Sequence, residues 1–177
     1  PNLALAYNGR GVTLATLGDI AGATADLERA LAIDPGLVEA YQNLGYVHWK
    51  AGDLDAAIRA YDTALILTPD SAQRYLSAAT PRLDARRDLE GALMLANAGL
   101  QLDPGLGPLH DLRGHVLALL GNEEGALVAF QTAMDVSGEQ LVGTYETSLA
   151  RQGYFAGTPD GEPDAEFVAA LRACIAE

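Results

Sequence analysis

Residues 41–69 read YQNLGYVHWKAGDLDAAIRAYDTALILTP. The punctuation of this stretch divides it into two helices. Gly52 supplies the left-handed residue that a helix C-terminus favours. Asp53 follows, with a carboxylate placed to accept the orphan N–H groups of a second helix. Pro69 cannot continue that helix and stops it. Gly45, inside the first helix, marks a place where the paired helix crosses so closely that a side chain would clash. A helix pair this short cannot bury its apolar face alone, so it must stack on further pairs.

The same signposts recur along the chain. The small residue of the first helix appears at Gly11, Gly45, Thr80 and Gly114, at intervals of 34, 35 and 34. The alanine of the second helix appears at Ala23, Ala57, Ala92 and Ala126, with the same intervals. Four residues beyond it stand Leu27, Tyr61, Ala96 and Phe130. Turn glycines fall at Gly18, Gly52 and Gly121, expected N-caps at Asp19, Asp53, Asp88 and Asn122, and closing prolines at Pro35, Pro69 and Pro104. The single 35-residue interval places an insertion between Pro69 and Thr80. The third unit also carries Pro81 inside its first helix, where a kink is expected, and Arg87 where the turn glycine should be. The fourth ends in Ser137-Gly138 rather than in proline.

A period near 34 with Tyr41-x-x-Leu44-Gly45-x-x-His48, Gly52-Asp53, Ala57-x-x-x-Tyr61, Ala64 and Pro69 resembles the tetratricopeptide repeat (TPR) family over about residues 4–140. The resemblance implies an all-α, right-handed TPR superhelix. Four helix-turn-helix repeats are expected at 4–37, 38–71, 72–106 and 107–140, followed by a capping helix pair at 141–177. It also implies a non-catalytic scaffold that holds a partner peptide or helix in a concave groove lined by the first helix of each repeat. The positions implied to face that groove include Asn8 and Val12 in the first repeat, and Gln42, Asn43, Tyr46, Trp49 and Lys50 in the second. Arg74, Ser77, Pro81 and Asp84 follow in the third, with Asp111 and His115 in the fourth. Tyr46, Trp49 and Lys50 stand out, because Tyr, Trp and Arg dominate binding hot spots and a lysine receives carboxylates; Arg74 is expected to join them. Relatives that clamp chaperone-tail carboxylates use a fixed set of lysines, asparagines and an arginine. Asn43 and Arg74 match that set, but Asn8, Val12 and Ala78 depart from it, which excludes this ligand.

The remaining segment breaks the period. Residues 141–152 read as a helix ended by Gly153, residues 154–162 as a turn-rich loop, and residues 163–176 as a second helix with Pro163 at its start. Leu149, Gly153-Tyr154-Phe155-Ala156-Gly157, Asp160-Gly161 and Ala170-Leu171 resemble the first half of a peptidoglycan-binding domain. That resemblance implies an envelope protein touching glycan through Tyr154, Phe155 and Asp160, and hence a periplasmic location. Pro163, Asp164 and Phe167 depart from the family's usual residues, and its second half is missing. The simpler reading is a helix pair that caps the repeats.

Composition narrows the partners. The chain of 177 residues carries 24 acidic and 11 basic side chains, for a formal net charge of −13, and Lys50 is its one lysine. Such a surface repels phosphate backbones and anionic lipid, so nucleic acid is not expected as a partner; no run of about 18 apolar residues appears, so membrane insertion is not expected either, and the protein or peptide partner is what the repeat resemblance implies. One cysteine, Cys174, cannot form an internal disulfide or a multi-cysteine metal site. The compartment therefore stays open between cytoplasm and periplasm. His48, His110 and His115 form no metal-ligand pattern, and no nucleophile elbow or phosphate loop is present. No catalytic residue, metal or cofactor is expected. The acidic pairs Asp26/Glu28, Asp53/Asp55 and Glu123/Glu124 read as caps or outward helix faces. The chain opens at Pro1 without methionine, so a further expectation is that these repeats are the regulatory arm of a larger enzyme.

Overall fold

The computed structural model describes residues 2–176, and among them every regular element is an α-helix. The helices are α1 (Asn2–Thr16), α2 (Ile20–Ile33), α3 (Val38–Lys50), α4 (Leu54–Leu67), α5 (Ala72–Asp84), α6 (Leu89–Leu102), α7 (Gly107–Leu119), α8 (Glu123–Ser137), α9 (Glu139–Gln152) and α10 (Ala165–Ile175). The chain divides into two compact units, Pro1–Asp88 and Leu89–Glu177.

In the first unit the turn after α1 and the turn after α3 are built alike. Gly18 and Gly52 take left-handed backbones at φ 84° and 79°. The next backbone N–H folds back, from Asp19 to the Leu14 carbonyl and from Asp53 to the His48 carbonyl, both at 2.9 Å. The Asp19 and Asp53 carboxylates then accept from the Gly22 and Ala56 amides at 2.9 and 3.0 Å. Each turn thus satisfies the end of one helix and the start of the next. Close crossing is equally explicit. A Cβ on Gly45 would sit 2.8 Å from the Tyr61 ring, and one on Gly11 would sit 2.9 Å from Leu27. The core is made largely of small residues: Ala4, Ala30 and Ala40 with Leu37, and Ala23 with Leu27 and Val47.

Asp26 corrects the outward placement expected for the acidic pairs. It is buried on α2, where Arg10 of α1 grips it with two hydrogen bonds, Nη2 donating to Oδ1 at 2.6 Å and Nε to Oδ2. The guanidinium's hydrogen bonds hold the Asp26 carboxyl below its ordinary range, against the opposing effect of burial.

The extra residue of the third repeat lies elsewhere than the Gly45-to-Thr80 spacing suggests. Helices α3 and α5 start 34 residues apart, whereas α4 and α6 start 35 apart. The insertion is therefore in the turn at residues 85–88, and Ala79, fully buried, holds the place of Gly45. Two adjacent small residues, Ala79 and Thr80, hide the register in the sequence. Arg86, not Arg87, occupies the turn-glycine position, with φ 48°, and Asp88 follows with φ 54°. Helix α5 continues through Pro81 to Asp84, and Pro81 is fully buried, so it does not line a groove.

In the second unit Gly114 meets Phe130 as Gly45 meets Tyr61, a Cβ landing 2.6 Å from the ring. Gly138, at φ 77°, separates α8 from α9 by itself, so α9 begins two residues before the expected start. The closing helix begins at Ala165 rather than at Pro163. Asp164 is its N-cap, accepting the Phe167 amide at 2.8 Å. Helices α8 to α10 share a core of Phe130, Met134, Val142, Leu149, Phe167 and Leu171.

Candidate functional site

Helix α3 positions the site. Its first-helix glycine packs inward against Tyr61, which turns the adjoining Tyr46 outward to 44% exposure. Val12, Ala15 and Thr16 of α1 face Asn43, Tyr46, Val47 and Lys50 of α3 across a cleft of about 310 Å³. Val47 is buried and forms the floor, while Val12 is 41% exposed. The Asn43 amide donates to the Asn8 side-chain carbonyl at 2.9 Å, tying the two helices together at one edge. At the other edge the Lys50 ammonium sits 5.8 Å from the Tyr46 ring centroid, and Trp49 lies 6.1 Å from that ring, tilted by 45°. The Trp49 indole N–H donates to Asp84 of α5. The cleft therefore offers an apolar floor, an aromatic face, a side-chain amide and one cation. That combination suits an extended peptide bearing an apolar side chain and a carboxylate.

The structure brings Val12, Asn43, Tyr46 and Lys50 together, with Asn8 as a support and Trp49 as a brace. It does not bring Arg74 to them. Arg74 donates to Asp70 at 2.9 Å and to the Thr68 carbonyl at the corner before α5. Ser77 turns back onto the Gln73 carbonyl at 3.1 Å, and Gln42 is half-buried on α3. In the second unit Asp111 and His115 are engaged internally. The Tyr145 hydroxyl donates to Asp111, and His115 Nδ1 lies 3.0 Å from the Asp111 carbonyl. The His115 ring stands edge-on to Phe130 at 4.9 Å, and Phe130 stands likewise to Tyr145 at 5.7 Å. Burial first, and then the bond to Asp111, push the Tyr145 hydroxyl's ionisation well above its ordinary range.

The glycan-contact expectation needs a correction at Phe155. Its ring is 7% exposed and packs 6.5 Å from Phe167, so it is part of the core and cannot meet a ligand. Asp160 is exposed, its carboxylate accepting the Glu162 amide at 2.9 Å; Tyr154 is half-buried. The loop is held instead by Glu146, a buried carboxylate that accepts the Gly161 and Asp160 amides at 2.8 and 3.1 Å. Nothing local in the sequence singles out Glu146, because its partners lie a loop away. Among the described residues no cluster of three or more His, Cys, Asp and Glu is arranged for a metal, and no helix is long and apolar enough to cross a membrane.

Short helix pairs joined by a glycine-and-cap turn, with an open cleft between successive first helices, define a helical-repeat protein. Residues 14–80 match the model of a family described as tetratricopeptide repeat. Its members typically act as protein-interaction scaffolds. Among curated proteins the chain is 32% identical over 87 residues to the chloroplastic tetratricopeptide repeat domain-containing protein PYG7 of Arabidopsis thaliana, a match covering 49% of this chain and 27% of that protein. Among solved structures, MamA (41-end) from Desulfovibrio magneticus RS-1 superposes with a TM-score of 0.75 at 16% identity, covering 99% of this chain and 94% of that one. TTC0263, a thermophilic TPR protein of Thermus thermophilus, gives 0.67 at 23% identity, over 97% and 98%. PilF of Pseudomonas aeruginosa gives 0.72 at 17%, over 99% and 75%. These structures share the fold.

Proposed function

We propose that this protein is a non-catalytic scaffold whose α1–α3 cleft binds an extended segment of a partner protein. The observation that supports it is the convergence of Val12, Asn43, Tyr46 and Lys50 on one open cleft. In this reading an apolar side chain of the partner enters over Val12 and Val47, its backbone meets Asn43, and a carboxylate reaches Lys50. Trp49, the only tryptophan, reports occupancy through its emission. Peptides selected from a random displayed library against the whole chain should shift that emission. Tyr46→Ala and Lys50→Ala should each weaken them about tenfold or more, or roughly 1.4 kcal/mol. Selected peptides that leave Trp49 emission unmoved and bind both variants as well as the parent would refute the assignment.

A further inference from the structure

We propose a second binding site, in the second unit, for a carboxylate-bearing apolar peptide. It is the cleft of about 360 Å³ walled by Leu93 and Asn97 of α6, Arg113 and Leu117 of α7, and Val128 of α8, with Glu124 at its rim.

Arg113 carries the argument. It is half-buried, its Nε is buried, and among the described residues that nitrogen has no hydrogen-bond partner. Nor does any carboxylate among them lie within ion-pair distance of it. The chain's other buried or bridging arginines meet a carboxylate: Arg10 meets Asp26, Arg82 meets Asp62 and Asp88, and Arg74, whose Nε is likewise buried and unpartnered among the described residues, meets Asp70 through Nη1. With 24 acidic side chains available, a partner for Arg113 is not scarce. Desolvating a guanidinium without pairing it opposes folding. The cation is thus left available to a charge-assisted bond from outside, one strengthened by the apolar walls around it.

The surroundings select the ligand. Leu93, Leu117 and Val128, the last 52% exposed, accept an apolar side chain, and the Asn97 amide can pair with a peptide group. Glu124 lies 3.7 Å from Arg172 in an exposed pair and is not paired with Arg113. Glu124 at the rim repels a phosphate dianion more strongly than a single carboxylate. A single carboxylate flanked by apolar residues fits.

The test uses the whole chain and an array of N-acetylated nonapeptide amides, each with one central Glu among Leu and Val, beside Gln and phosphoserine twins. The Glu peptides should bind at least tenfold tighter than either twin, shift the Arg113 Nε–H resonance, and leave Trp49 emission unchanged. Arg113→Met should erase the Glu preference while raising the melting midpoint by about 2 °C, because an unpaired guanidinium gives way to an apolar side chain. Val128→Asp, on an exposed wall, should weaken Glu-peptide binding at least fivefold without altering the helical spectrum. Equal binding of Glu and Gln twins, a phosphoserine preference, a lower midpoint in Arg113→Met, or unchanged binding in Val128→Asp would each overturn the site. Because Trp49 reads only the α1–α3 cleft, failure here and failure there are told apart.

Discussion

Helices α1 to α4 bury mainly alanine, whereas helices α8 to α10 bury phenylalanine beside their alanines. In the first region Ala23, Ala30, Ala40, Ala57 and Ala64 are essentially inaccessible, and the largest inward side chains, Leu27 and Tyr61, are received by Gly11 and Gly45. In the second region Phe155 and Phe167 fill the space between α9 and α10, and a buried carboxylate, Glu146, pins a long loop. The difference follows from how the helices are joined. Three-residue capped turns hold helix pairs at close range, where small residues fit and backbones nearly touch. Between α9 and α10 lies a loop of twelve residues with no such turn, so bulk and side-chain-to-backbone bonds must supply the specificity.

The largest expected effect would break the second region alone. Phe167→Ala empties a fully buried site and should cost about 3–5 kcal/mol in denaturant unfolding. Hydrogen exchange should show α10 and the 153–164 loop losing protection first, while α1 to α4 keep theirs. Next comes the close crossing of the first region. Gly45→Ala should cost about 1–3 kcal/mol, since the new Cβ meets the Tyr61 ring; combining it with Tyr61→Leu should recover part of that loss if ring contact is the cause. A gain is expected at the irregular turn. Arg86→Gly should stabilise the chain by about 0.5–1 kcal/mol, because an L side chain at φ 48° carries a penalty that glycine lacks.

The smallest effect is a pH dependence in the first region. Asp26 titrates below the ordinary 3.8 because Arg10 bonds to its charged form. A depressed carboxyl pKa adds stability that is present above the unfolded value and is lost as pH falls through the folded one. The stability difference between the parent and Arg10→Met should therefore be largest near neutrality and shrink below about pH 4. A carbon-13 titration should show the Asp26 carboxyl moving up in the variant. A difference that stays constant from about pH 7 to about pH 3 would refute the linkage.

Much of the repeat was legible because its determinants are local. A glycine in a turn, an aspartate at the next helix start and a proline at its end act within one or two turns of chain. Their physics does not depend on what packs around them. The close-approach glycines were legible as well, through their spacing from Leu27, Tyr61 and Phe130. The candidate site was legible in part. Val12, Asn43, Tyr46 and Lys50 lie on the helix faces their spacing indicates and meet in one cleft. Arg74, Asp111 and His115 share that periodicity, yet each has an internal partner that takes up its polar group.

From the amino-acid order alone came the helix pairs, their turns and caps, and the residues on which one helix crosses another, because backbone geometry and the helical period write these at short range. Only the tertiary structure decided that Asp26 is buried under Arg10, that the extra residue sits in the turn before α6, that Phe155 is core, and that Arg113 stands in a largely apolar cleft with no partner for its Nε among the described residues. Each of those outcomes depends on which side chains meet across separate helices, or on which fail to meet, and spacing along the chain does not encode that.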